Sequence, residues 1–313
     1  MSFRAKLVIV FNHRFDRNLP VLDRVYADRF EVSYLVPFYR GDHPGATAVY
    51  ESSHQFQGYF AQALEHYRSP LATHYVFAAD DMLLNPALDA ATLPERLGLG
   101  ARTGFIKQVA DLATAPFAWN HLRSSIELWH RNTGSEHGPE LPSEAEARVL
   151  VARHLPTVDR ISLAGLKDFG GRWRPWETST RLTAAHLLRH PRQLRMPYPL
   201  VWGYSDFCVV PAAALDRFAH WCGVFAAMGL FVEVAIPTAL AMACDEIRTE
   251  ADVDLHGVEL WTTKEQTQLR TDHGGSLQSL SERFPADWLY VHPVKLSGWS
   301  VGEVEAVEPP TGA

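Results

Sequence analysis

The chain is short of cysteine: three thiols in 313 residues, Cys208, Cys222 and Cys244. So sparse and odd a set is not a disulfide framework, and a chain this long can bury a substantial core without covalent staples. A reducing, cytoplasmic setting is therefore expected. Lysine is also scarce, 5 against 24 arginines, and the formal charge is −7. That balance argues against a protein that coats nucleic acid, because such affinity comes mostly from a basic surface neutralising phosphates. No targeting segment is expected either. The apolar stretch of residues 7–11 is too short for a signal-peptide core and meets Asn12, His13 and Arg14 at once. Residues 221–244 come closest to a membrane span, but Glu233 lies near their middle and Gly223, Gly229 and Pro237 interrupt them. They read as buried helix, turn and helix.

Several chemistry-bearing motifs are missing as well. There is no G-x-x-x-x-G-K-[ST], no G-x-G-x-x-G after the first apolar run, no H-E-x-x-H and no C-x-x-C. Phosphate-loop ATPases, dinucleotide-binding dehydrogenases and common zinc sites are thereby disfavoured. The remaining composition, 47% hydrophobic and 21% charged, is ordinary globular usage.

What is present is an alternation of two periods. Residues 6–11 (KLVIVF) suit a strand buried on both faces, and residues 18–26 repeat apolar side chains at helical spacing, with Pro20 in the first turn. Residues 31–37 read as a second strand, 53–67 as a helix with an aromatic stripe, and 74–78 (HYVFA) as a third strand. This β-α-β-α-β order predicts an α/β fold with a mostly parallel central sheet flanked by helices. Ligands of such sheets sit beyond the carboxyl ends of the strands. Residues 107–199 change character: helices are expected over 119–131, over 143–154 behind a Ser143-x-x-Glu146 capping box, and over 182–189. Alternation returns with strand-like 206–210, helices over 212–221 and 237–243, and strands near 258–261 and 288–291. The expected organisation is a β/α half at 1–106, a mainly helical insertion at 107–199, a second half at 200–303 completing the same domain, and a tail at 304–313.

The most informative string is HYVFAADDMLLNP, in which Asp80 and Asp81 follow the third strand directly. An Asp-Asp pair alone means little, and a solvated acidic turn is its plain reading. Placement at the carboxyl end of a central parallel strand points both acids into the ligand crevice, where carboxylates suit Mg²⁺ or Mn²⁺ bridging to a diphosphate.

With its preceding β-α-β-α unit, this string resembles the nucleotide-sugar site of glycosyltransferases of the GT-A fold, in an Asp-Asp-x version of their Asp-x-Asp motif. The resemblance covers residues 1–90 and, more loosely, 200–300. It implies a GT-A-like, Rossmann-like sheet and a metal-dependent transfer of sugar from a nucleoside diphosphate sugar, a UDP-sugar being favoured, to a hydroxyl on a glycan or lipid-linked acceptor in surface polysaccharide or glycoconjugate synthesis. It further implies that Asp81 is a direct metal ligand with Asp80 as its partner, and that Asn12, His13 and Arg14 meet the nucleoside. A late His292 would be a further metal ligand, and Lys295 would neutralise the leaving diphosphate. Glu233, in GLFVEVAIPTAL, would be the acceptor-activating base; it also reads as an acid complementing a helix dipole, since Pro237 is expected in the first turn of the helix that follows. Asp206 is the other candidate for base or sugar contact. Trp173, Trp176, Tyr198, Trp202 and Tyr204 could stack on sugars or pack under loops. A sugar nucleotidyltransferase of related fold and a non-catalytic carbohydrate- or partner-binding relative are the alternatives, the first lacking its Gly-rich loop here.

The charge is unevenly distributed. Residues 172–195 hold six arginines against Glu177, whereas residues 244–259 hold six acids against Arg248. The basic segment is a candidate for contact with an anionic acceptor, a lipid diphosphate or the inner face of a membrane, or it is a solvated Arg-rich helix.

Overall fold

The computed structural model describes residues 3–300; the tail expected at 304–313 lies outside them. Its strands are β1 (Ala5–Val10), β2 (Glu31–Pro37), β3 (Ala46–Val49), β4 (His74–Ala79), β5 (Leu83–Leu84), β6 (Thr103–Ile106), β7 (Ala110–Asp111), β8 (Val201–Trp202), β9 (Phe207–Pro211), β10 (Glu246–Arg248), β11 (His256–Glu259) and β12 (Trp288–His292). The main sheet has the order β10-β6-β9-β4-β1-β2-β3. Strand β9 alone runs against its neighbours β4 and β6. The fold is therefore α/β with a mostly parallel central sheet. Two small sheets accompany it, β11-β12-β5 and β7-β8.

Side-chain alternation explains why the central strands are apolar throughout. Val8 and Val10 of β1 enter one core and Leu7 and Ile9 the other, so both faces of the strand are buried. The helices are α1 (Leu19–Tyr26), α2 (Gly58–Gln62), α3 (Leu64–Tyr67), α4 (Thr92–Arg96), α5 (Asn120–Asn132), α6 (Glu144–Val151), α7 (Thr178–Arg189), α8 (Leu215–Ala227), α9 (Val232–Ala243), α10 (Thr263–Asp272) and α11 (Leu277–Glu282). Helices α2, α5, α8 and α9 fill the core on the Val8 side; α1 and the β11-β12-β5 sheet fill the other. Residues 107–199 share the first of these cores through Leu122, Ile126, Trp129, Ala147, Val151 and Leu187. Helix α6 opens with the expected capping box, Ser143 Oγ accepting from the Glu146 N–H and the Glu146 carboxylate accepting from the Ser143 N–H.

The apolar segment 221–244 is the end of α8, a turn at Gly229 (φ +73°) and α9. Gly229 supplies a left-handed residue that a side chain would strain. No described helix is long and apolar enough to cross a membrane. Two expectations are corrected. The helix expected over 53–67 is broken into a short 3-10 turn, α2 and α3. Pro237 lies inside α9 rather than in its first turn, and Glu233 occupies that first turn instead. A proline in a helix interior frees the carbonyl four residues earlier. Here that carbonyl belongs to Glu233 and accepts from the Gly203 N–H at 3.0 Å, so the helix continues without an orphaned acceptor.

Candidate active site

Four chain segments converge at the carboxyl end of β4. Asp80 and Asp81 leave that strand, and the Asp80 N–H donates to the Val10 carbonyl at the end of β1 at 3.0 Å. Because β9 is antiparallel, its start lies at the same edge: the Ala79 N–H donates to the Asp206 carbonyl at 3.0 Å. The fourth segment is the end of β12. Strand β5 begins one residue after the two acids and pairs with β12, Leu83 opposite Val291 and Leu84 opposite Tyr290. That register brings His292 back to Asp81 across more than two hundred residues of sequence.

The contacts are specific. His292 Nε2 lies 2.8 Å from Asp81 Oδ1, and Lys295 Nζ donates to Asp81 Oδ2. On the other side of the imidazole, Nδ1 lies 2.7 Å from the Tyr204 hydroxyl and 3.9 Å from Asp206 Oδ2. Burial raises the Asp81 carboxyl, but the hydrogen bond and charge of His292 and then Lys295 outweigh it and hold the group below the usual range. For His292, burial disfavours the imidazolium, yet the bond to Asp81 and the charges of Asp81 and Asp206 raise its pKa. Asp80 is only 5% exposed; burial and then the neighbouring Asp81 push its carboxyl up to about 7, although the Asn12 N–H donates to it. Asp206 is likewise raised, chiefly by burial.

Two concavities flank the loop after β1. One, of about 160 Å³, is lined by Asn12, His13, Asp80, Asp81 and Lys295 among others. The other, of about 510 Å³, brings Asn12, His13 and Arg14 against the exposed rings of Phe38 and Tyr50. Arg14 belongs to this second hollow, not to the one that holds the acids. The Asn12 side-chain oxygen is buried without a partner among the described residues.

A third, larger cavity of about 710 Å³ holds Glu233. Its walls come from residues between 107 and 169 and between 202 and 261, with Trp119, Trp202, Tyr204, Phe231 and Trp261 as aromatic lining. Burial, then the charge of Asp206, pushes the Glu233 carboxyl up to about 7, against a hydrogen bond from Trp119. Lys107, on the same wall, is paired with Glu259 at 2.5 Å and Glu250 at 3.5 Å, and the Tyr290 hydroxyl donates to Glu259 at 2.8 Å. Tyr204 joins this cavity to the acids: its ring lines the cavity while its hydroxyl meets His292.

Of the aromatic residues singled out from sequence, Trp202 and Tyr204 line the cavity, Tyr198 is buried against Trp129 with ring centroids 4.7 Å apart, and Trp173 and Trp176 face solvent. Sequence reasoning missed Lys107, Glu259 and Trp261. Their signal was proximity to strand ends: Lys107 follows β6, which the sequence did not show, whereas Glu259 and Trp261 lie in the strand expected near 258–261. The string Gly298-Trp299-Ser300-Val301-Gly302 spells a nucleophile-elbow pattern, but Ser300 Oγ donates to the Gly275 carbonyl at 3.2 Å and follows a 3-10 turn, not a strand. Without a strand leading into it, Ser300 lacks the setting that presents a nucleophile at such a turn.

Among the described residues, no three carboxylate, imidazole or thiol side chains are gathered into a ready metal-ligand set. The donors of Asp80, Asp81 and His292 are nonetheless of the kind Mn²⁺ or Mg²⁺ takes, and the Lys295 ammonium resting on Asp81 marks a position that draws positive charge.

Fold and site thus define an α/β protein with an acid–imidazole centre beyond the carboxyl ends of a mostly parallel sheet. No protein-family model matches the sequence, and no curated protein matches it. Among solved structures the chain is similar to core-mannan synthase A from Aspergillus fumigatus in its Mn/GDP form, at 11% identity over 80% of this chain and 73% of that one, with a TM-score of 0.30.

Proposed function

We propose that the protein is a glycosyltransferase that moves a sugar from a nucleoside diphosphate sugar to a hydroxyl acceptor. The observation that carries this reading is the Tyr204–His292–Asp81 chain, which couples a small acidic hollow to a large aromatic cavity containing an acid that titrates near neutrality. Two substrates meeting at one junction is the geometry a group transfer needs.

In this reading the donor's nucleoside lies along Asn12, His13 and Arg14, where Phe38 and Tyr50 offer rings for the base, and its diphosphate lies toward Asp80, Asp81 and Lys295. Asp80, Asp81 and His292 would hold a divalent cation, whose charge would stabilise the departing diphosphate. Lys295 adds a second positive charge to that leaving group. Asp206 sets the local charge on both sides, since it acts on His292 and on Glu233. The acceptor enters the aromatic cavity, and Glu233 takes the proton from its hydroxyl. The acceptor oxygen forms its bond to the anomeric carbon as the bond from that carbon to the phosphate oxygen breaks. A carboxylate titrating near 7 is matched to that task at neutral pH. Direct attack inverts the anomeric configuration.

The test is titration calorimetry with UDP and GDP, with and without Mn²⁺, followed by a panel of nucleotide sugars with product detection. Cation-dependent nucleotide binding and sugar release support the reading; absence of binding to any nucleotide in either condition removes it.

A further inference from the structure

The basic segment 172–195 has a structure that its composition alone does not convey. Helix α7 buries Thr180, Thr183 and Leu187, three residues on one helical face. The opposite face carries Arg181, Leu182, Leu188 and Arg189, with Leu188 81% exposed. A helix of a soluble domain ordinarily turns its leucines inward; this one turns two of them outward between arginines. The loop leading into it continues the pattern. Phe169, Trp173 and Trp176 are exposed, Trp176 by 65%, and Arg172 stands beside them on the surface. Of the six arginines in the segment, Arg174 alone is ion-paired among the described residues, to Asp168 at 3.2 Å.

We infer that this face of the insertion docks on an anionic lipid bilayer. Two properties on one surface favour that occupant. Exposed tryptophan and leucine suit the boundary between headgroups and acyl chains, and unpaired arginines flanking them suit anionic headgroups. A partner protein would be matched by the apolar residues alone, and a soluble polyanion by the arginines alone. The surface is also continuous with the acceptor cavity. Phe169 lines that cavity and is itself 64% exposed beside Trp202, ring centroids 5.8 Å apart. Docking by this face brings the cavity mouth to the membrane surface. Membrane binding requires neither donor nor cation, so its outcome is independent of the glycosyl-transfer reading.

The experiment is flotation of the full chain with phosphatidylcholine vesicles, with and without phosphatidylglycerol, at low and high salt. The expected result is co-flotation with the anionic vesicles at low salt, weakened by salt and near background on neutral vesicles. R181E/R189E should lower the partition coefficient by at least about tenfold, each removed charge being worth roughly fivefold. W176S/L188S should lower it on the same vesicles while the arginines remain. Both variants replace solvent-facing residues, and unchanged thermal melting verifies their folding. Equal partition onto neutral and anionic vesicles, or partition indifferent to both variants, would overturn the inference. So would the absence of flotation, whether sedimentation then shows a W176S/L188S-sensitive dimer or the chain binds only a soluble polyanion such as heparin.

Discussion

The Gly203 N–H donates to the Glu233 carbonyl at 3.0 Å, the acceptor that Pro237 leaves free within α9. This bond ties the strand-to-site loop after β8 to the first turn of the helix that carries Glu233, and so fixes the acid on the cavity wall. The close approach depends on glycine: a Cβ at residue 203 would lie 2.2 Å from the Gln108 carbonyl oxygen.

Gly203→Ala is therefore expected to destabilise the fold by about 1–3 kcal/mol, because backbone on both sides must shift. Denaturant unfolding measures it. A midpoint unchanged from wild type would mean that the loop is not held as described.

Glu233→Gln separates stability from activity by pH. The carboxyl titrates at about 7 in the folded chain against an ordinary 4.5, so across that interval the folded state keeps a proton the unfolded state has lost. Stability contributed by this group is present at low pH and falls as pH rises toward 7. Removing the charge should stabilise the protein at pH above 7 by on the order of 1–3 kcal/mol and leave it nearly unchanged at pH near 4. Transfer should meanwhile drop by at least about a hundredfold. Thermal melts at the two pH values check the first part; an equal shift at both contradicts it.

Lys107 compensates two acids in a partly buried setting, Glu259 at 2.5 Å and Glu250 at 3.5 Å. Lys107→Met leaves both charges without a partner and is expected to cost about 3–5 kcal/mol at neutral pH. Burial already raises the Glu250 carboxyl, so acidification should protonate the acids and recover much of the loss. Urea unfolding as a function of pH reads this; a loss that does not shrink on acidification rules out the charge explanation.

Trp202 and Trp261 face the cavity and stand away from the acids of β4. Replacing either by Ala should raise the acceptor KM by roughly three- to tenfold, the worth of one aromatic contact, with the donor KM unchanged. A rise confined to the donor would reverse the assignment of the two compartments.

Much of the sheet was legible because buried parallel strands are continuous apolar runs: residues 6–11, 31–37 and 74–78 differ from β1, β2 and β4 by a residue at most. Strands β3, β6 and β10 were not, being three or four residues long and too short for periodicity to distinguish from loop. The aromatic stripe of 53–67 concealed a break between α2 and α3 because apolar spacing survives a change of helix axis. At the site, Asp80, Asp81, His292 and Lys295 were each readable as residues at strand ends. Their convergence was not, since it depends on the β5–β12 register. Pro237 misled for a physical reason: its rule assumes an unpaired carbonyl, and a tertiary donor, Gly203, supplies the partner.

In the proposed function Asp81, held between His292 and Lys295, anchors a cation-dependent site for a nucleoside diphosphate. Calorimetry of wild type and Asp81→Asn with UDP and GDP, each with and without Mn²⁺, tests it most directly. Wild type is expected to bind at least one nucleotide in a Mn²⁺-dependent way, and Asp81→Asn to lose that binding while melting as a folded protein. Nucleotide binding by Asp81→Asn equal to that of wild type in the presence of Mn²⁺ would contradict it.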